Sequence, residues 1–123
     1  MQKSVSGRDR PAPDRTGARN ALLMRMTSIS LVVLVPFALL TVLSLAGRDQ
    51  ATVQLALGRP WVAGAVALLV LIGVWHMWLG MREIIEDYLR AGSLRVTLAL
   101  NTIFSLLVAA ACLYAVARLA LGI

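Results

Sequence analysis

The sequence predicts an all-α membrane protein with three transmembrane helices, and composition, run length and charge placement support that prediction. Of its 123 residues, 59% are hydrophobic and 15% are charged, and the mean hydropathy is +0.80. A soluble domain of this length needs far more polar surface. The formal charge of +6 needs no nucleic-acid partner, because membrane topology accounts for where the basic residues lie.

Three uncharged apolar runs, residues 26–46, 61–81 and 96–117, are each long enough to cross a bilayer as a helix. The 21 residues of the second run cover roughly 31 Å, the thickness of the hydrocarbon core. Pro36 lies midway along the first run and predicts a kink that a membrane helix tolerates. Residues 1–23 are polar and rich in Arg, Gly and Pro, which predicts a flexible tail before a three-helix anchor over residues 24–123.

The basic residues predict the orientation of the helices. Six of them precede residue 26 and three lie between the second and third runs, whereas Arg48 and Arg59 are the basic residues of the first connection. Lys and Arg accumulate on the cytoplasmic side of membranes. We therefore expect a multi-pass protein of a bacterial inner membrane, with its N-terminus cytoplasmic and its C-terminus periplasmic. Asp9 and Asp14 argue against a mitochondrial transit peptide.

His76, the single histidine, lies inside the second run. An ionisable residue within a membrane usually marks a cofactor, a proton path or a buried polar contact. Imidazole is a common axial ligand of haem iron, and Gly80, one turn later, leaves room for a flat ligand or for a neighbouring helix. A second axial ligand would have to come from another chain, which predicts a larger heteromeric bundle. The alternative role of His76 is a hydrogen bond to a neighbouring helix.

The residues that follow His76 return to its face of the helix. Glu83 and Asp87 lie at helical offsets from His76, and Tyr88 lies about 100° round from Asp87. These residues suit either a polar site at the cytoplasmic boundary or an ordinary aromatic belt and solvated helix end. Cys112, within the third run, is expected to behave as a small hydrophobic residue.

The segment HMWLGMREIIEDY, residues 76–88, resembles the second-helix signature of the smaller hydrophobic membrane anchor of succinate dehydrogenase. That signature is a His, a Gly four residues later, and an Asp–Tyr pair eleven and twelve residues after the His, and all four positions match. The segment LLMRMTSISL, residues 22–31, resembles the start of the family's first helix, with an Arg, a Thr two residues later and then an apolar run.

The resemblance implies roles for four residues. His76 would be the axial ligand of haem b, and Arg25 would lie near the haem propionates. Tyr88 would donate a hydrogen bond to a carbonyl of ubiquinone, and Asp87 would lie near the quinone pocket or its proton supply.

The resemblance also implies partners: a second membrane anchor subunit, an iron–sulfur subunit and a flavoprotein subunit. The chain would be a non-catalytic anchor that helps to pass electrons from succinate oxidation to quinone. Two alternatives remain open. One is a fumarate reductase-type anchor that uses menaquinone. The other is a non-redox membrane scaffold in which His76 serves packing or proton relay.

Overall fold

The computed structural model describes residues 15–123, which form four helices: α1 Arg15–Leu45, α2 Gln50–Leu57, α3 Pro60–Tyr88 and α4 Ala91–Leu121. No strand occurs within this range. Helices α1, α3 and α4 are long and apolar enough to cross a membrane. The predicted all-α fold with three spans is thereby confirmed.

Helix α1 begins earlier than the polar character of the sequence indicated. It includes residues 15–23, which were expected to belong to a flexible tail. The helix therefore begins before the first apolar run, and Ala18, Ala21, Leu22 and Leu23 in this segment favour helix. The rest of the predicted tail, residues 1–14, lies outside the described residues. Farther along, α1 continues through Pro36.

Helix α2 was not predicted, because eight residues between two long apolar runs carry only a weak pattern. It begins after Asp49, whose carboxylate accepts a hydrogen bond from the Thr52 hydroxyl. It ends at Gly58, whose N–H donates to the Gln54 carbonyl at 2.8 Å. A Cβ at Gly58 would lie 3.6 Å from the Ala120 carbonyl oxygen, so α2 lies against the end of α4.

Helix α3 is central to the arrangement because it packs against both α1 and α4. It starts with Pro60 at its first position, where a missing N–H costs nothing. After Tyr88 the chain is extended at Leu89 and Arg90, and α4 starts directly afterwards. Among the described residues, few apolar side chains are buried, and most of the large ones remain on the surface for lipid or a partner.

Candidate functional site

His76 is held by α1 through one of its two ring nitrogens. Its Nδ1 atom lies 2.9 Å from the hydroxyl oxygen of Thr27, a residue that is only 5% exposed. The imidazole ring itself is half-buried. Its Nε2 atom has no hydrogen-bond partner among residues 15–123. The bond to a neighbouring helix, which was the alternative role of His76, is therefore present, but it leaves the second nitrogen for another group.

Two glycines let α1 approach α3 on either side of His76. A Cβ added at Gly80 would lie 3.7 Å from the terminal methyl carbon of Met24, and one at Gly73 would lie 4.0 Å from Leu31 Cδ2. The space beside Gly80 is thus used by α1 of the same chain, in agreement with the neighbouring-helix alternative. We call this surface the His76 contact, and it consists of Gly73, His76 and Gly80 on α3 and Leu31, Thr27 and Met24 on α1.

The acidic residues and Tyr88 lie at the far end of the same helix. Because α3 runs unbroken to Tyr88, Asp87 lies three turns from His76 on nearly the same face, roughly 16 Å along the axis. The antiparallel register of the His76 contact places Asp87 at the level of Gly17, near the start of α1. Both Glu83 and Asp87 are exposed, and Tyr88 is 83% exposed. Any pocket around these side chains would need walls from outside the described chain.

Arg25 is not brought to the His76 ring. It precedes Thr27 by two residues, which turns it about 200° round α1. Its side chain is therefore on the surface that faces away from α3, and it is exposed. Within residues 15–123 it has no ion-pair partner. The structure thus groups His76 with Thr27, separates Asp87 and Tyr88 from them along α3, and leaves Arg25 on another face of α1.

A second set of polar groups joins α3 to α4. The Trp78 indole N–H donates to the Thr102 hydroxyl at 3.0 Å, and that hydroxyl donates to the Leu98 carbonyl at 3.1 Å. The buried Asn101 side chain donates to the Trp78 carbonyl at 3.2 Å. We call this surface the Trp78 contact. The indole N–H and the proton of the Thr102 hydroxyl are both used within the chain, so this surface joins two helices through polar groups.

The Trp78 ring also lies beside a pair of charged residues near the end of α3. The Arg82 guanidinium lies 5.6 Å from the ring centroid, and its Nε donates to Glu86 at 2.7 Å. Both side chains of this pair are partly exposed.

Sequence reasoning assigned no role to Thr27, Asn101 or Thr102. Thr27 stood in the segment that resembles the start of the family's first helix, but a single Thr in an apolar run is common and signals no contact by itself. The useful signal would have been its depth. Thr27 lies as far from the start of α1 as His76 lies from the end of α3, and the two helices are antiparallel.

Three helices that are long and apolar enough to span a membrane, with a histidine at the contact between two of them, define a membrane-embedded helical protein. The profile of the succinate dehydrogenase/fumarate reductase transmembrane subunit family matches residues 15–117. The chain therefore belongs to this family, as a hydrophobic membrane anchor subunit of the succinate dehydrogenase type. Membership confirms the resemblance found in the sequence, and it makes the chain one subunit of a multi-subunit membrane complex.

Individual relatives agree with the family match. The chain is 33% identical over 106 residues to the succinate dehydrogenase hydrophobic membrane anchor subunit of Paracoccus denitrificans, which covers 86% of this chain and 82% of the relative. It is 32% identical over 103 residues to the subunit of the same name from Rickettsia bellii, covering 83% and 82% of the two chains. No solved structure gives a significant match.

Proposed function

We propose that this subunit helps to bind haem b and ubiquinone and to pass electrons from succinate oxidation to the quinone. The observation that carries the proposal is the state of His76: a half-buried imidazole within a membrane span, held through Nδ1 and without a partner for Nε2 among residues 15–123. Relatives named for succinate dehydrogenase favour succinate oxidation over the fumarate reductase direction.

The residues present fit a haem ligand. An axial imidazole ligates through an unprotonated nitrogen while its other nitrogen is usually hydrogen-bonded. In the His76 contact Nδ1 is hydrogen-bonded to Thr27 and Nε2 has no partner among residues 15–123, which supports the proposal. His76 would supply one axial ligand, and a second membrane anchor subunit would supply the other. A haem bound there would supply one-electron transfer within the membrane. This chain would contribute the ligand, its orientation and an apolar wall.

Tyr88 and Asp87 form the proposed quinone end of the subunit. They lie where α3 ends, and both side chains are accessible to another subunit or to a ligand. The Tyr88 hydroxyl would donate a hydrogen bond to a quinone carbonyl as negative charge develops on that oxygen. Asp87, three turns from His76, would relay protons from water, so no long path through the membrane is needed. Arg25 remains the predicted residue near the haem propionates.

The proposed orientation places the N-terminus in the cytoplasm of a bacterium and the C-terminus in the periplasm. The start of α1, the end of α3 and the start of α4 lie on the same side of the bundle. That side carries Arg19, Arg82, Arg90 and Arg95, as the positive-inside rule requires of the cytoplasmic side. The iron–sulfur and flavoprotein subunits would dock on this face, and the second anchor subunit would pack within the bilayer.

Replacement of His76 tests the haem assignment. We expect His76→Leu to abolish or strongly perturb the low-spin b-type spectrum of the purified complex, because Leu fills the space without a ligating atom. The control is Trp75→Phe, an adjacent and exposed aromatic residue on the same helix. An unchanged spectrum and midpoint potential in the assembled His76→Leu complex would refute haem ligation.

A further inference from the structure

Three atoms lie within hydrogen-bonding distance of the Thr27 hydroxyl, and the hydroxyl carries only one proton. Its oxygen lies 2.9 Å from the Leu23 carbonyl, 3.0 Å from the Met24 carbonyl and 2.9 Å from His76 Nδ1. A hydroxyl donates one hydrogen bond and accepts up to two, whereas a carbonyl only accepts. The direction of the bond to His76 therefore depends on which nitrogen of the ring carries the proton.

The two neutral forms of His76 differ in how many groups they satisfy. With the proton on Nδ1, the ring donates to Thr27, and Thr27 keeps its own proton for a carbonyl of α1. With the proton on Nε2, Thr27 must turn its proton away from the carbonyls toward Nδ1, and the Nε2–H donor has no acceptor among residues 15–123. An unpaired donor in an apolar region is costly, so the local structure favours the Nδ1–H form.

We propose that Thr27 is a positioning residue that holds His76 in the Nδ1–H form and so presents the Nε2 lone pair as the ligating atom. The inference rests on the proposed haem ligation. It adds that a residue of a second helix, α1, controls how His76 presents its ligating nitrogen. A hydrogen bond accepted from the distal N–H of an axial imidazole fixes the ring orientation and raises the basicity of the ligating nitrogen. Thr27 would thus adjust the midpoint potential of the haem as well as its position.

Other hydroxyls on α1 provide a matched control. Thr41 donates to the Phe37 carbonyl at 2.9 Å, four residues earlier, in the same local geometry as Thr27 and Leu23. Thr41 makes no side-chain hydrogen bond to α3 in the described structure. Thr41→Val therefore repeats the chemical change of Thr27→Val on the same helix without touching His76.

The test uses the whole complex with Thr27→Val, Thr27→Ser or Thr41→Val in this subunit. Val keeps the branched shape and removes the hydroxyl, whereas Ser keeps the hydroxyl. The readouts are the haem midpoint potential and the g values of the low-spin ferric haem by electron paramagnetic resonance. Without the acceptor at Thr27, the ligating nitrogen of the imidazole becomes a weaker electron donor to the iron. Ferric haem is then stabilised less, so the midpoint potential should rise in Thr27→Val.

The expected rise is up to about tenfold in the ratio of ferrous to ferric haem at a fixed ambient potential, which is ~59 mV for a one-electron couple. Thr27→Ser and Thr41→Val should keep wild-type values. Loss of haem in Thr27→Val but not in the other two variants would also support the inference. If Thr27→Val does not assemble, Thr27→Ala takes its place in the comparison with Thr27→Ser.

A wild-type potential and wild-type g values in a hydroxyl-free variant would overturn the role of Thr27. An equal shift in Thr27→Ser would overturn it as well, since packing and not the hydroxyl would then set the potential. These results are separable from a failure of haem ligation. If His76→Leu loses the haem spectrum while Thr27→Val keeps the wild-type potential, His76 remains the ligand and only the role of Thr27 is refuted.

Discussion

The two faces of α3 use polar side chains in opposite ways. At the Trp78 contact, the indole N–H, the Thr102 hydroxyl and the Asn101 amide find partners within the chain. At the His76 contact, Thr27 pairs with one nitrogen of the imidazole and leaves the other without a partner in the described chain. Both contacts join α3 to a neighbouring helix in the membrane. The Trp78 indole N–H and the proton of the Thr102 hydroxyl are both used, whereas one ring nitrogen of His76 has no partner among residues 15–123.

Under the proposed function, the difference separates a structural polar contact from one that also holds a ligand. A membrane interior offers no water, so a polar group that is not satisfied within the protein either costs free energy or serves a ligand. Closed pairs such as Trp78 with Thr102 set helix geometry and are worth about 1 kcal/mol or less. His76 lies between Gly73 and Gly80 and is hydrogen-bonded through one ring nitrogen, which is the arrangement we propose for a haem ligand oriented by its own subunit.

The largest expected effect comes from widening the His76 contact. Gly80→Leu would place a branched side chain against Met24, since even a single methyl group at Gly80 lies 3.7 Å from the Met24 methyl carbon. The overpacked helices would separate at a cost of about 1–3 kcal/mol and pull Thr27 from His76. We expect loss of most of the haem-containing complex, measured as haem absorbance per mole of purified flavoprotein subunit.

Two variants on α3 serve as controls for this change. Gly80→Ala adds a group at ordinary contact distance and should keep most of the haem. Gly64→Leu introduces the same side chain where nothing lies within 4 Å of the added Cβ, and it should assemble normally. Full haem content in Gly80→Leu would show that the close approach of α1 does not position His76.

The sequence predicted the three spans because each requires only length and an absence of charge, and both can be counted along the chain. It also singled out His76, Asp87 and Tyr88, whose spacing along one helix depends on α3 being continuous, as it is. It did not predict Thr27 as the partner of His76, because contacts between helices depend on register, which local pattern does not encode. The start of α1 at Arg15 was not predicted, because Thr16, Gly17 and Asn20 weaken the helical signal before the apolar run begins.

A smaller effect is expected at the end of the His76 face of α3. Tyr88→Phe removes one hydroxyl and almost no volume, so it tests a hydrogen bond and not packing. If that hydroxyl donates to the quinone during reduction, its loss should slow ubiquinone reduction by roughly 10-fold, because about 1.4 kcal/mol corresponds to a factor of ten. Succinate oxidation with an artificial acceptor that bypasses the membrane should stay near the wild-type rate.

Tyr114→Phe is the matched control for Tyr88→Phe. Tyr114 is another exposed tyrosine, near the opposite end of α4, where Arg118 lies 5.9 Å from its ring centroid. Its hydroxyl should have no influence on quinone reduction. A wild-type rate of ubiquinone reduction in Tyr88→Phe would assign Tyr88 to the aromatic belt at the membrane boundary.

The smallest effect is expected on the α4 side of α3. There the direction of the change in stability is informative. Ser105 is 5% exposed, and its hydroxyl is a buried polar atom without a partner in the described chain, beside a cavity of about 200 Å³ between α3 and α4. If this hydroxyl has no ligand, Ser105→Ala removes an unsatisfied group at little change in volume. The complex should be stabilised by about 0.5 kcal/mol. This is less than the usual stabilisation from removing an unsatisfied buried hydroxyl, because the separated helices that serve as the reference state also lie in lipid.

Thr102→Val, on the same helix, should have the opposite sign. It leaves the Trp78 indole N–H without its acceptor and should cost about 1 kcal/mol. Thermal loss of haem absorbance in the detergent-solubilised complex would measure the stability of both variants. The transition temperature of Ser105→Ala should lie slightly above that of the wild type, and that of Thr102→Val should lie below it. If Ser105→Ala instead lowers the transition or slows quinone reduction, the hydroxyl has a partner in the assembled complex. A polar group on the α4 side of α3 would then also serve a partner outside the described chain, as is proposed for His76.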